Sequence, residues 1–215
     1  MTRFFLIIIT SLFISVSANG QLVNDSTVLK KYLNDTLGFV SFPNAILLDS
    51  IEPDNGFKKW ELNTATSLTT FHNFFRYPKP NGNLSDTIVL SKCLRGFGTF
   101  CPPRGCAWYI SAQKRKRIIT VQDLNGLSNF LGTLDNKFDA YLWLTSHDLF
   151  DSRSVPIVTS SSTTYKIVDG GFLITLNMRI RDCPVTNGIV IYFVGLNKKI
   201  VRIRTKVIVI SEGCI

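Results

Sequence analysis

From Phe172 to Arg181 the chain alternates, with Phe172, Ile174, Leu176, Met178 and Ile180 on one side and Leu173, Thr175, Asn177, Arg179 and Arg181 on the other. Successive strand side chains point to opposite faces, so this period of two predicts a strand with one apolar face and one that turns cationic. The same pattern returns near the end, where Val201, Ile203, Thr205, Val207 and Val209 stand opposite Arg202, Arg204 and Lys206. Between them, residues 188–194 form a nearly continuous apolar run, and Gly195-Leu196-Asn197-Lys198-Lys199 reads as a hairpin turn. Tyr165-Lys166-Ile167-Val168, ahead of Asp169-Gly170-Gly171, supplies a fourth antiparallel strand.

Two helices precede these strands. Thr120-Val121-Gln122-Asp123 has the form of a capping box, with Thr120 as N-cap and with Ile119 and Leu124 at the two staple positions. The helix it opens runs through Leu124, Leu127 and Leu131 and stops at Gly132. Asp135 is the expected N-cap of a second helix carrying Phe138, Tyr141, Leu142, Trp143 and Leu144, which is apolar on nearly every side and therefore expected to be buried. A Ser- and Thr-rich connection, residues 152–164, then leads into the strands. For residues 111–215 the expected architecture is α+β, two helices on one face of a four-stranded antiparallel sheet, cystatin-like in outline. Residues 19–110 read as β- and loop-rich, because short apolar runs such as Phe39-Val40-Ser41-Phe42 are separated by Pro43, Pro53-Asp54-Asn55-Gly56 and Pro78 to Asn83. They form either a region of their own or part of one compact domain.

The first 18 residues carry an address. Arg3, the apolar run Phe4 to Ile14 and the small residues around Ala18 make the three parts of a secretory signal peptide, with cleavage after Ala18 or Gly20. The run is shorter than the roughly 20 apolar residues of a membrane span, and no second segment has that length, so no integral span is expected after cleavage. The expected location is secreted or periplasmic. Export favours disulfides among the five cysteines. Cys183 with Cys214 closes a loop worth roughly 3–4 kcal/mol in the chain-entropy model. Cys101 and Cys106 flank turn-forming residues, either is also within reach of Cys93, and one cysteine is left over. Zinc needs four ligands in paired spacing, which three clustered cysteines and a distant histidine do not supply, so neither a metal nor another cofactor is expected.

Charge is uneven. The chain has 24 Lys and Arg against 15 Asp and Glu, a formal +9, and residues 111–215 hold fourteen of the basic and eight of the acidic residues. Lys166, Arg179, Arg181, Arg202, Arg204 and Lys206 are expected to share the sheet face away from the helices. A solvated face is the ordinary state of an antiparallel sheet. Six like charges repel, however, and an anionic glycan, a lipid headgroup or extracellular nucleic acid would relieve that repulsion. Lys114-Arg115-Lys116-Arg117 is a further basic run, expected at an exposed loop or strand end.

Enzyme signatures are few. Glu occurs only as Glu52, Glu61 and Glu212, there are two histidines, and no nucleophile elbow, zinc helix or phosphate loop is present. Asp49, Glu52 and Asp54 cluster, but Pro53 and Asn55-Gly56 make that segment an expected turn. The alternative to a binding role is a thiol enzyme with Cys106 as nucleophile, His147 as base and Asp148, Asp151 or Asp169 to orient the ring, an order that resembles transglutaminase-type enzymes. Phe130-Leu131-Gly132-Thr133-Leu134-Asp135, Ala140, Leu142, Arg181-Asp182-Cys183-Pro184 and the terminal cysteine resemble uncharacterised secreted proteins of Gram-negative bacteria over about residues 118–215. That resemblance implies export, supports the Cys183–Cys214 pairing and implies no activity. The expected function is an exported, disulfide-containing binding or structural module without catalysis.

Overall fold

The alternation that begins at Phe172 becomes the middle of a five-stranded sheet. The computed structural model describes residues 24–42, 50, 51, 53, 57–66, 70–77, 96–99, 106–115, 117–147, 163–182 and 185–211. In chain order these contain α1 (Ser26–Tyr32), β1 (Val40–Ser41), β2 (Phe57–Thr66), β3 (Thr70–Tyr77), β4 (Phe97–Thr99), β5 (Cys106–Lys114) and β6 (Arg117–Val121). Then follow α2 (Leu124–Leu131), α3 (Lys137–Thr145), β7 (Thr164–Val168), β8 (Gly171–Asp182), β9 (Val185–Gly195) and β10 (Ile200–Ser211). The class is α+β and all strand pairs are antiparallel.

The architecture is richer than a helix pair on four strands. The C-terminal sheet has the order β1-β7-β8-β9-β10, so a strand from the first half closes its β7 edge, with Val40 opposite Tyr165. A second, N-terminal sheet runs β3-β2-β5, and the far edge of β5 is shared end to end by β4 and β6. Of the basic run 114–117, Lys114 and Arg117 stand opposite each other across the β5–β6 hairpin and Arg115 follows at φ 58.

Helix boundaries follow side-chain caps. Asp123, not Thr120, is the N-cap of α2, accepting from the Gly126 amide at 2.7 Å. Thr120 and Ile119 belong to β6, because strand pairing with β5 continues to Val121 opposite Ile110 and takes those residues first. Likewise Asn136, not Asp135, caps α3: its side-chain oxygen accepts from Phe138 and Asp139, and its amide donates to the Asp139 carboxylate at 2.8 Å. Gly132 ends α2 at φ 61, a conformation that favours glycine.

One apolar cluster draws on both halves of the chain. Trp60, Leu62, Trp108 and Ile110 of the N-terminal sheet, Leu127 and Phe130 of α2, Trp143 and Leu144 of α3, and Phe172, Ile174 and Val194 of the C-terminal sheet are all buried within it. Phe130 meets Phe57 and Trp60 at ring distances of 5.1 and 5.6 Å, while α3 packs on β8 and β9. The helix pair is thus the layer that joins the two sheets. A stitch holds the β9–β10 hairpin to it: the Trp143 indole donates to the Lys198 carbonyl, and the Lys198 ammonium donates to Ser128. Phe42, just after β1, lies among Phe138, Tyr141 and Tyr165 and is 2% exposed. Phe42→Ala should cost about 3–5 kcal/mol in urea unfolding, and Leu37→Ala, at a position 80% exposed, within about 0.5 kcal/mol; equal effects would show that β1 does not seal this core.

Candidate functional site

The face of the C-terminal sheet away from α2 and α3 has two unlike halves. Near the hairpin ends, Leu173, Phe193, Val201 and Ile203 are buried under α1, whose Tyr32 stacks on Phe193 at 5.4 Å. The helix forms there because Asp25 caps it, accepting from the Thr27 and Val28 amides, and because Val28, Leu29 and Tyr32 recur on one side. Nothing in the alternation of β8 announces a cover on this face.

Three ion pairs fasten that half. Asp25 pairs with Lys199, Lys31 with Asp169 at 3.0 Å, and Lys166 with Asp35 at 2.6 Å. The Tyr32 hydroxyl also donates to the Asp169 carbonyl. The Lys199 ammonium, with the Val28 and Thr27 amides, holds Asp25 below its ordinary 3.8, and Asp169 with Tyr32 raises Lys31 above its ordinary 10.5. Lys166, one of the six expected anion-binding cations, is therefore already neutralised.

The other five are divided by strand register. Residues directly opposite in an antiparallel pair share a face. Arg202 stands opposite Tyr192, on the helix-pair side, whereas Arg204 stands opposite Ile191 and Lys206 opposite Ile189, on the α1 side. The cause is an extra residue in β10 at Ile203, which breaks the period of two. It also sets Arg202 and Thr205 on one side, where the guanidinium donates to the hydroxyl at 2.9 Å. Burial raises the Tyr192 phenol and the nearby Arg202 charge opposes that rise, consistent with this placement. In β8 a similar irregularity separates Arg179, opposite Asn187, from Arg181, opposite Thr186. Of the six cations expected on one face, register sets Arg202 on one side of outer β10 and Arg204 and Lys206 on the other. Arg202, Arg204 and Lys206 are exposed there, with no acidic partner among the described residues.

The thiol arrangement is not brought together by the described residues. Cys106 opens β5, opposite Thr66, and its side chain lies outside them, as do Asp148 and Asp151. His147 follows α3, 7% exposed, donating from Nδ1 to the Trp143 carbonyl at 2.8 Å with its ring edge-on to Trp143. Asp169 is engaged with Lys31 in the β7–β8 turn and does not orient that ring. Cys93, Cys101, Cys183 and Cys214, the signal segment 1–18 and the Asp49, Glu52 and Asp54 cluster also lie outside the described residues. Among the described residues no group of three or more His, Cys, Asp or Glu is placed to hold a metal, and no helix is long and apolar enough to cross a membrane.

One polar set is not apparent from the sequence pattern alone. Glu61 opposite Ser111 and Asn63 opposite Tyr109 lie on the face of the N-terminal sheet away from Trp60 and Leu62, and all four are fully buried. Its signal is the alternation of Trp60 and Leu62 with Glu61 and Asn63 in β2. A carboxyl, an amide, a phenol and a hydroxyl are thus buried on adjacent strands, where the Asn63 side-chain amide donates to the Glu61 backbone carbonyl at 3.3 Å.

Comparison with known families, with curated proteins and with solved structures finds no match.

The pairs around α1 set its pH range. Asp25, depressed, contributes stability that is present above about 3.8 and lost as pH falls through its lower folded value; Lys31, raised, contributes stability present below about 10.5 and lost as pH rises through its higher one. Amide exchange at Val28 and Leu29, corrected for its intrinsic pH dependence, should be equally slow at pH 5 and pH 7. Asp25→Asn keeps the cap and removes the Lys199 pair, so exchange should quicken at both values; an unchanged rate would mean that the pair does not hold α1.

Proposed function

We propose that the chain is an exported, disulfide-containing binding module that engages an anionic partner along outer β10. The observation that carries this reading is the uneven neutralisation of charge. At the hairpin end of the C-terminal sheet three lysines each have an aspartate, while Arg202, Arg204 and Lys206 stay exposed with no acidic partner among the described residues. Uncompensated cations on an extended strand attract polyanions, and glycan carboxylates or sulfates, lipid headgroups and nucleic-acid phosphates all have the required charge. Export rests on the form of residues 1–18, and the resemblance of the second half to secreted bacterial proteins agrees with it.

Retention on an anionic matrix tests the surface. The triple variant Arg202→Ala, Arg204→Ala, Lys206→Ala should elute at clearly lower salt, with the salt slope on a nucleic-acid matrix reduced by about 0.7–0.9 for each phosphate no longer neutralised. Lys166→Ala should change little, since Asp35 already holds that ammonium. If Arg115→Ala with Arg117→Ala lowers retention and the β10 triple variant does not, the proposed surface is wrong.

The disulfide has its own support. Asp182 and Ser211, the described residues nearest Cys183 and Cys214 in the chain, both stand opposite Val185, so β8 and β10 end at the same end of the sheet. Peptide mapping without reduction should recover a Cys183–Cys214 cross-link, and its loss should cost roughly 3–4 kcal/mol. Full alkylation of Cys214 in the unreduced mature protein would refute the pairing.

A further inference from the structure

The outer edge of β10 carries more than charge. It is the last strand of its sheet, twelve residues long, and among the described residues only β9 pairs with it. From Arg204 to Ile208 residues on both faces are exposed, Val207 and Ile208 each 49%. Among the described residues no layer lies over this stretch and none pairs with its outward N–H and C=O groups.

Long open edges are usually guarded, and this one has two guards. Extra residues at Ile203 and Ile208 interrupt the register, and three cations line the strand. The cations discriminate among partners. A second copy pairing antiparallel through the same edge, centred on Thr205, would set Arg204 against the other copy's Lys206, a destabilising arrangement. A neutral strand leaves the three charges uncompensated. An acidic strand places carboxylates opposite them within cross-strand reach, about 4.5–5.5 Å between Cβ atoms. Val207 and Ile208 add an apolar surface that a phosphate or sulfate polymer does not use, which favours a polypeptide.

We propose that β10 binds an extended acidic polypeptide segment by strand addition, with carboxylates against Arg204 and Lys206 on one face and apolar residues against Val207 on the other. The proposal rests on the anionic-partner reading and adds the backbone hydrogen bonds and the partner's chemistry.

The test uses the mature full chain and four probes: a blocked decapeptide alternating Glu and Val, its Lys counterpart, the acidic peptide N-methylated at alternate residues, and polyphosphate. Binding is read by amide chemical-shift mapping and hydrogen exchange. The acidic peptide should bind and slow exchange of the outward β10 amides at least tenfold. The Lys peptide should not bind, N-methylation should abolish binding, and Arg204→Ala with Lys206→Ala should weaken it at least tenfold. If the N-methylated peptide binds equally well, or polyphosphate shifts β10 while the acidic peptide does not, strand addition is overturned and the anionic-partner reading stands. If neither the peptide nor polyphosphate perturbs β10, both fall.

Discussion

Helix α3 has no wet face. From Asp139 to Thr145 every residue is buried, including Tyr141, Trp143 and Leu144. A helix apolar all round cannot be satisfied by one sheet, because any side left over would stay in water. Strands β8 and β9 cover one side, and the cluster is completed by α2 and by Trp60, Leu62, Trp108 and Ile110 of the other sheet. Folding of the second half therefore depends on residues from the first, with Phe42 reaching α3 directly. Either half by itself would leave a large apolar surface in water.

The opposite face of the C-terminal sheet solves a smaller problem by different means. Four buried residues there, Leu173, Phe193, Val201 and Ile203, need cover, and α1 is only seven residues long, too short to be stable by itself. Packing supplies most of its hold, since exposed ion pairs are individually worth about 0–1 kcal/mol. The pairs instead fix where the helix sits, and in doing so they engage Lys31, Lys166 and Lys199. On this face Lys31, Lys166 and Lys199 are compensated beside α1, while Arg204 and Lys206 of outer β10 have no acidic partner among the described residues.

Much of this is legible in the residues. The four C-terminal strands, the stop at Gly132 and the burial of α3 follow from period, glycine and composition, all of which are local. The cap of α2 lies three residues beyond the position its motif suggests, because pairing of β6 with β5 is a non-local event that no capping motif reveals. Helix α1 carries a short signal, Asp25 followed by Val28, Leu29 and Tyr32, that becomes meaningful only when a sheet face needs covering. The candidate site is legible in its residue types and not in its geometry. Alternation counts positions along one strand, whereas facing is decided jointly with the neighbouring strand, and the extra residues at Ile203 and Ile180 belong to that joint register.

The extra residue at Ile203 gives β10 one residue of slack. Arg202 and Arg204 already stand opposite consecutive residues of β9, Tyr192 and Ile191, so deleting Ile203 would close the ladder without moving either arginine, at the expense of one apolar side chain under α1. Deleting Thr205 could be absorbed in another way, by drawing Ile203 into the ladder opposite Ile191. Arg204 would then fall opposite Val190 and change sides, while Lys206 kept its place opposite Ile189. Two one-codon deletions, two positions apart, would thus shorten the strand equally and yet distribute its cations differently between the two surfaces of the sheet.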